Sequence, residues 1–136
     1  MILTSDHCLY CCGKNNDYEV GVRRFNQNTL FAPINFKADF IGIACGHWHS
    51  IAVLKDGSLY CWGFGGYGQL GIENPKDCNP IPTKVVKLEG KICSIKSGYG
   101  HSMAITSNGA LYCWGSNCYG QLGVESYGRN EIFPIR

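Results

Sequence analysis

Apolar and small residues occur in short runs broken by tight polar turns. Ser50-Ile51-Ala52-Val53-Leu54 and Leu59-Tyr60-Cys61-Trp62 flank Lys55-Asp56-Gly57-Ser58. Ser102-Met103-Ala104-Ile105-Thr106 and Leu111-Tyr112-Cys113-Trp114 flank Ser107-Asn108-Gly109-Ala110. Asp-Gly and Asn-Gly favour the type I′ turn, whose two central residues need positive φ, so each pair of runs predicts a β-hairpin. The runs are apolar or small at successive positions, as in strands covered on both faces. Thr83–Leu88 and Lys91–Ile95, parted by Glu89-Gly90, predict two further strands, for four antiparallel strands per unit. No apolar stripe recurs at helical spacing, and the prediction is all-β.

The runs repeat. His49 and His101, Trp62 and Trp114, and Gly71 and Gly123 are each 52 positions apart. A weaker copy opens the chain: Leu9-Tyr10-Cys11-Cys12-Gly13 matches Leu59 to Gly63 at an offset of 50. There Cys12 stands at the tryptophan position, Tyr18-Glu19 at the Gly-Gln position and His7 at the turn glycine. A period of this length signals stacked supersecondary units, none of which buries its apolar face alone. Four antiparallel strands per unit predict propeller blades. Gly46, Gly98, Ala52, Ala104, Ser50 and Ser102 are expected where strands crowd near the axis, and Trp62 and Trp114 in the wider gap between blades. The paired His49 and His101 are expected to make a repeated bond from side chain to backbone. The unit boundaries expected are 1–45 for a degenerate first repeat, 46–97 for a second and 98–136 for a third, incomplete one.

Composition narrows the function classes. The chain has 136 residues and a formal net charge of +2, which gives no electrostatic case for nucleic acid. Lys84, Lys87, Lys91 and Lys96 read as a solvated surface. No apolar run is long enough to span a bilayer, and the first residues lack the basic and apolar regions of a secretory signal. Nine cysteines, three of them (Cys11, Cys61, Cys113) at one repeat position, read as small buried hydrophobes in a reducing compartment. His7-Cys8 with Cys11-Cys12 has no second Cys/His pair at finger-like spacing, so no metal is expected.

Two motifs imitate active sites. Gly66-Tyr67-Gly68-Gln69-Leu70-Gly71 spells Gly-x-Gly-x-x-Gly, but a dinucleotide site needs a helix after it, and Ile72 to Asp77 reads as a loop. His49-Ser50 and His101-Ser102 lack the strand-elbow-helix setting of a hydrolase nucleophile. Neither catalytic residue nor cofactor is expected.

The series Gly-x-x-His-Ser, Asp/Asn-Gly-x-Leu-Tyr-x-Trp-Gly and Gly-Gln-Leu-Gly runs from Gly46 to Gly71 and again from Gly98 to Gly123. In these residues the chain resembles the regulator of chromosome condensation repeat family. The resemblance implies a seven-bladed β-propeller. Such a ring needs roughly 360 residues, and this chain holds about 2.6 periods of 52. The expectation is an incomplete ring, with self-association or a partner supplying the missing blades, or else a piece of a longer propeller.

Repeated strands hold the fold, so individuality lies in the loops. Arg23, Arg24, Phe25 and Asn26, then Glu73, Asn74, Lys76 and Asp77, then Glu125, Tyr127, Arg129 and Asn130 are the candidate contacts for a protein partner. His49, His101, Trp62, Trp114, Gly71 and Gly123 are the structural repeat positions. The primary expectation is a protein-interaction scaffold, not an enzyme, in cytoplasm or nucleus. The resemblance also implies, as an alternative, guanine-nucleotide exchange on a small Ran-like GTPase. A second alternative is a chromatin-associated module.

Overall fold

The computed structural model describes residues 1–22, 28–34, 36–73 and 75–136, the side chains of 28 and 29 excepted. Arg23, Arg24, Phe25, Asn26 and Asn74 lie outside the described residues. Eleven strands follow in chain order: β1 (Ile2–Leu3), β2 (Leu9–Gly13), β3 (Asn28–Pro33), β4 (Phe40–Cys45), β5 (His49–Leu54), β6 (Leu59–Phe64), β7 (Cys78–Lys84), β8 (Ile92–Ser97), β9 (His101–Thr106), β10 (Leu111–Gly115) and β11 (Glu131–Ile135). They form three antiparallel sheets, β1-β2-β3, β4-β5-β6-β7 and β8-β9-β10-β11. Among the described residues there is no helix, and so none long and apolar enough to cross a membrane.

The hairpins are where the turn chemistry puts them. Ser50 pairs Trp62, Ile51 pairs Cys61 and Val53 pairs Leu59. Fifty-two residues on, Ser102 pairs Trp114, Met103 pairs Cys113 and Ile105 pairs Leu111. Where the third and outer strands meet, each sheet slips register at Cys-x-Gly, next to Gly13, Gly63 and Gly115. These glycines hold φ of 118°, 101° and 102°, and the bulge bends the outer strand away from its neighbour.

One strand assignment is corrected. Thr83–Leu88 is not the partner of Lys91–Ile95 in one unit. The outer strand is Cys78–Lys84, which pairs back onto β6 through Tyr60↔Lys84 and Gly63↔Asn79. Val85 turns inward instead, into the core between the second and third sheets, and Val86 to Lys91 connect the blades. The apolar character of Val85 and Leu88 reports that contact, not strand alternation.

The core lies between sheets. One cluster joins Leu9, Cys11, Val20 and Ile34 of the first blade to Phe40, Ala52 and Trp62 of the second. The other joins Ile51, Val53, Leu59, Cys61, Leu70, Ile72 and Val85 of the second to Ile92, Ala104, Ala110, Tyr112 and Trp114 of the third. Alternate residues of one strand thus serve opposite interfaces: His49, Ile51 and Val53 face forward, Ser50 and Ala52 backward. Ala52 and Ala104 are small because a neighbouring blade closes over them.

Cys11, Cys61 and Cys113 are buried, as expected of small hydrophobes. Burial pushes the Cys11 thiol up to about 12 and the other two upward as well, so none is an available thiolate. Cys8, Cys45, Cys93 and Cys118 are exposed, so the reading as buried hydrophobes fails for those four. They lie off the repeated position that packs between blades.

The first copy keeps its turns without glycine. His7 and Tyr18 hold φ of 63° and 62°, where the later copies have Gly57 and Gly109, and Gly68 and Gly120. A side chain in this region is strained by about 1 kcal/mol or more. His7 offsets part of that with a 2.9 Å bond from Nδ1 to the Phe40 carbonyl. Tyr18→Gly is therefore expected to raise stability by about 0.5 kcal/mol, read as a shift in urea midpoint at constant slope. A loss of stability would mean that the tyrosine ring contributes more than its backbone costs.

Candidate functional site: an aromatic surface at one end of the blades

A buried polar clamp sets the blades against one another. His49 is fully buried, and its Nε2 lies 2.9 Å from Ser102 Oγ and 2.8 Å from Ser97 Oγ of the third blade. Ser102 Oγ donates to the Gln69 carbonyl at 2.9 Å, and Trp114 Nε1 donates to the same oxygen at 2.9 Å. With the Ser102 proton directed at Gln69, Nε2–H is the donor between histidine and Ser102. The bond expected from histidine to backbone is thus a bond to hydroxyls across the blade boundary. The ring faces the next blade, where Ser97 and Ser102 are its hydrogen-bond partners. The backbone bond belongs to the serine beside it: Ser50 Oγ donates to the Glu19 carbonyl at 2.7 Å, as Ser102 does to Gln69. Burial, with His101 nearby, holds the His49 imidazole down at about 4, so it is neutral at pH 7. A buried Ser–His pair with its hydroxyl committed to a carbonyl is no hydrolase dyad. Gly46 and Gly98 carry no side chain because a Cβ there would meet the ring of His49 or His101 at 2.2 or 2.1 Å.

The connections β4–β5, β6–β7, β8–β9 and β10–β11 all emerge at one end of the sheets. There His47, Trp48, Phe64, Tyr67 and Tyr99 form one cluster. His47 stacks on Tyr99 with centroids 4.4 Å apart, and Trp48 meets Tyr99 edge-on at 4.5 Å. Trp48 touches Phe64 at 5.7 Å and Tyr67 at 6.2 Å, and Phe64 meets Tyr67 at 5.5 Å. Tyr99 is 59% exposed, His47 is exposed, and the other three are half-buried. The cluster bridges two blades: Tyr67 lies over Gly100, where a Cβ would meet its ring at 2.9 Å. Tyrosine and tryptophan held rigid at a surface bring large contact area at low entropic cost, which is why they dominate binding hot spots.

The described loop candidates are all exposed at this same end. Lys76, Asp77 and Asn130 come together across the blade boundary, lining with Tyr67, Pro75 and Ile132 a groove of about 270 Å³. Glu73 and Lys76 line a second, about 310 Å³, with Ile72 and Ile81. Glu125, Tyr127 and Arg129 join neither. Their loop is pinned by Gly128 N to the Asn117 carbonyl at 3.1 Å and Arg129 N to the Ser126 carbonyl at 3.0 Å, with Tyr127 71% exposed.

Sequence reading missed the aromatic cluster because its members sit inside the repeated signature. The signal lay in the differences between copies: Trp48 where the later copy has Gly100, and Phe64 where it has Ser116. Asn15 and Asn117 were missed too. Both are fully buried and accept from the Val20 and Leu122 amides at 3.0 and 3.1 Å. The glycine-rich stretch from Gly66 to Gly71 runs between β6 and β7 with no helix following it. The four lysines Lys84, Lys87, Lys91 and Lys96 are exposed, with Lys87 Nζ 3.5 Å above the Phe133 ring.

Antiparallel sheets packed face to face through a tryptophan, a histidine and a serine in register are the blades of a β-propeller. The chain belongs to the family described as the regulator of chromosome condensation (RCC1) repeat, which it matches over residues 6–53, 56–105 and 108–136. It is 34% identical to human HERC6, named as a probable E3 ubiquitin-protein ligase, over 100% of this chain and 14% of that protein. It is 35% identical to RUG3 of Arabidopsis thaliana, an RCC1 domain-containing mitochondrial protein, over 99% of this chain and 31% of that one. Among solved structures, Prp20p of Saccharomyces cerevisiae superposes with a TM-score of 0.89 and 27% identity, over 98% of this chain and 35% of Prp20p. The chain spans less than a third of the length of HERC6 and RUG3.

Proposed function

We propose that the chain is a protein-interaction scaffold whose contact surface is the loop end of its blades, centred on Trp48 and Tyr99. The observation that carries this reading is the five-ring cluster. Its rings pack on one another, it is partly exposed and shared by two blades, and loops that differ between the copies lie at the same end. Most of the binding energy of such surfaces comes from a few aromatic anchors. Trp48→Ala is expected to weaken a protein partner at least tenfold, a loss larger than its packing cost alone and measured at a temperature where the variant is still folded. Lys55→Ala, at the opposite end, is expected to leave binding intact. A quantitative interaction screen of the full chain against both variants checks this. Partner sets unchanged by Trp48→Ala would end the reading.

A finer reading has one supporting comparison. Prp20p is described together with its binding to Gsp1p and histones, and the family resemblance connects such propellers with exchange on small GTPases. Exchange requires only that the factor favour the nucleotide-free state, so a binding surface suffices. Release of labelled nucleotide from a panel of small GTPases tests it, and no acceleration at excess protein would exclude it. The histone contact makes chromatin association an alternative, in cytoplasm or nucleus by location, tested by imaging the tagged full chain.

A further inference from the structure

Carboxylates flank the aromatic end of the blades. Asp17 and Glu19 of the first blade and Asp77 of the second converge on the start of β7, where the Cys78 thiol donates to Asp17 Oδ1 at 3.9 Å. Burial pushes that thiol up, and the carboxylates of Asp17, Asp77 and Glu19 push it further. Cys78 pairs with Phe64 across the sheet, so the acids lie beside the cluster that Phe64 forms with Trp48 and Tyr67. Asp17 and Glu19 are half-buried, and Asp77 is exposed and lines the groove with Tyr67. Among the described residues none of the three makes an ion pair, and Lys76 is the one described cation in that groove. The whole chain carries +2, but exposed charges are screened beyond about 8 Å at physiological salt. A ligand at this end therefore meets the carboxylates rather than the net charge.

One ring of the cluster stands where the repeat has another use for the position. In the third blade Gln121 Nε2 donates to Ser116 Oγ at 3.2 Å, and Gln121 Oε1 accepts from the Tyr119 amide at 2.8 Å. Fifty-two positions earlier the same pair is Phe64 and Gln69. Gln69 keeps the second bond, accepting from the Tyr67 amide at 2.9 Å. It has lost the first: its Nε2 is fully buried with no partner among the described residues. An unpaired buried amide is destabilising, so Phe64 works against the turn it adjoins. Sites that bind often keep residues that the fold alone disfavours.

We propose that this end receives an arginine-bearing segment of a protein partner, and that Phe64 is kept for that contact although it leaves Gln69 unpaired. The proposal rests on the reading of this end as the contact surface and names the chemistry of what it contacts. A guanidinium stacks on an exposed aromatic face, and Tyr99 is 59% exposed. Its fork of N–H donors matches a carboxylate with two parallel bonds. Asp17 and Asp77 are the acceptors, while Glu19 already takes the Asp17 amide on Oε2 at 2.9 Å. An acidic segment would face three like charges. A proline-rich one would use the rings and leave the carboxylates without a partner.

The probes are labelled glycine-serine peptides of equal length, bearing three arginines, three glutamates or three prolines, titrated into the full chain at about 0.15 M salt and read by anisotropy. The arginine probe is expected to bind roughly tenfold tighter than either of the others, against the sign of the net charge. Asp17→Asn with Asp77→Asn is expected to weaken it about threefold or more, and Lys76→Ala to tighten it about twofold. Trp48→Ala is expected to weaken it about tenfold. Phe64→Ala and Phe64→Ser both lose the ring and weaken the probe. The serine variant is expected to have the higher urea midpoint of the two, because its hydroxyl offers Gln69 Nε2 an acceptor. A glutamate or proline probe that binds as tightly as the arginine probe overturns the proposal. So does an arginine probe indifferent to the Asp17, Asp77 and Trp48 substitutions, and equal midpoints for the two Phe64 variants overturn the part that concerns Gln69. The scaffold reading fails separately. Partners lost on Trp48→Ala in the interaction screen, with no arginine preference among the probes, leave that reading standing and sink this one.

Discussion

Trp114→Ala is expected to cost about 3–5 kcal/mol, which is the range for emptying a large aromatic from a packed core. The indole is fully buried between the second and third blades. It stands against Gly71, and its N–H donates to the Gln69 carbonyl at 2.9 Å. That oxygen keeps only the Ser102 hydroxyl after the substitution. The hole cannot collapse easily, since its walls are two sheets whose spacing Trp114 itself sets. Small domains are stable by roughly 5–15 kcal/mol, so the variant is expected to melt at least 10 °C lower or to be unfolded at 37 °C. Trp114→Phe keeps much of the volume and loses the hydrogen bond, so it falls between. Urea unfolding of the three proteins checks the order. A loss below about 1 kcal/mol for the alanine variant would mean that the blades are held elsewhere.

The same residue shows what the chain makes legible. Its 52-residue echo with Trp62 located the blade boundary, because a large aromatic repeated in register has to fill a repeated gap. Hairpins at Asp56-Gly57 and Asn108-Gly109 were legible for a local reason, since those turns need positive φ. The outer strand was not. Cys78–Lys84 contains Pro80 and Pro82 and lacks alternation, so its identity rests on pairing with β6 through a bulge at Gly63. Valines 85 and 86 looked more like a strand than it did, yet Val85 is apolar because it caps an interblade core.

The candidate site was half legible. Loops that differ between copies lie at the same end of the blades as the aromatic cluster, and three of their residues meet in one groove. Trp48 and Phe64 were hidden because they follow strongly repeated glycine and tryptophan positions, and the eye reads the motif as structural throughout. What sets them apart is a contact between blades, with Tyr67 reaching over Gly100. A contact between units is written in the departures from the repeat, and its partners are chosen only when the units stack.

Stability is expected to fall on acidification well before carboxylates titrate, and His49 is the cause. Its unfolded value is 6.5, and burial, with His101 adding to it, depresses the folded value to about 4. Between those values the unfolded chain binds a proton that the folded chain refuses, so stability rises with pH. The contribution is fully present above about pH 6.5 and is lost as pH falls toward 4. The separation corresponds to about 3 kcal/mol in all, of which about 2 kcal/mol is gone by pH 4.5. His101 is depressed by burial as well and acts in the same direction. Asp6 and Asp56 are held below the usual 3.8 by hydrogen bonds from Thr4 and Ser58, so their losses come at lower pH and leave this window clear. The structural reason is that an imidazolium has no place in the clamp. The Nδ1 atom is buried without a partner, and a second proton there would be an unpaired charge facing an apolar interface. Urea midpoints measured from pH 7 to pH 4 are expected to decline steadily, and His49→Asn is expected to be less stable at pH 7 but much flatter across the range. A wild-type profile that is level down to pH 4.5 would mean that water enters the clamp and the ring protonates within the folded blades.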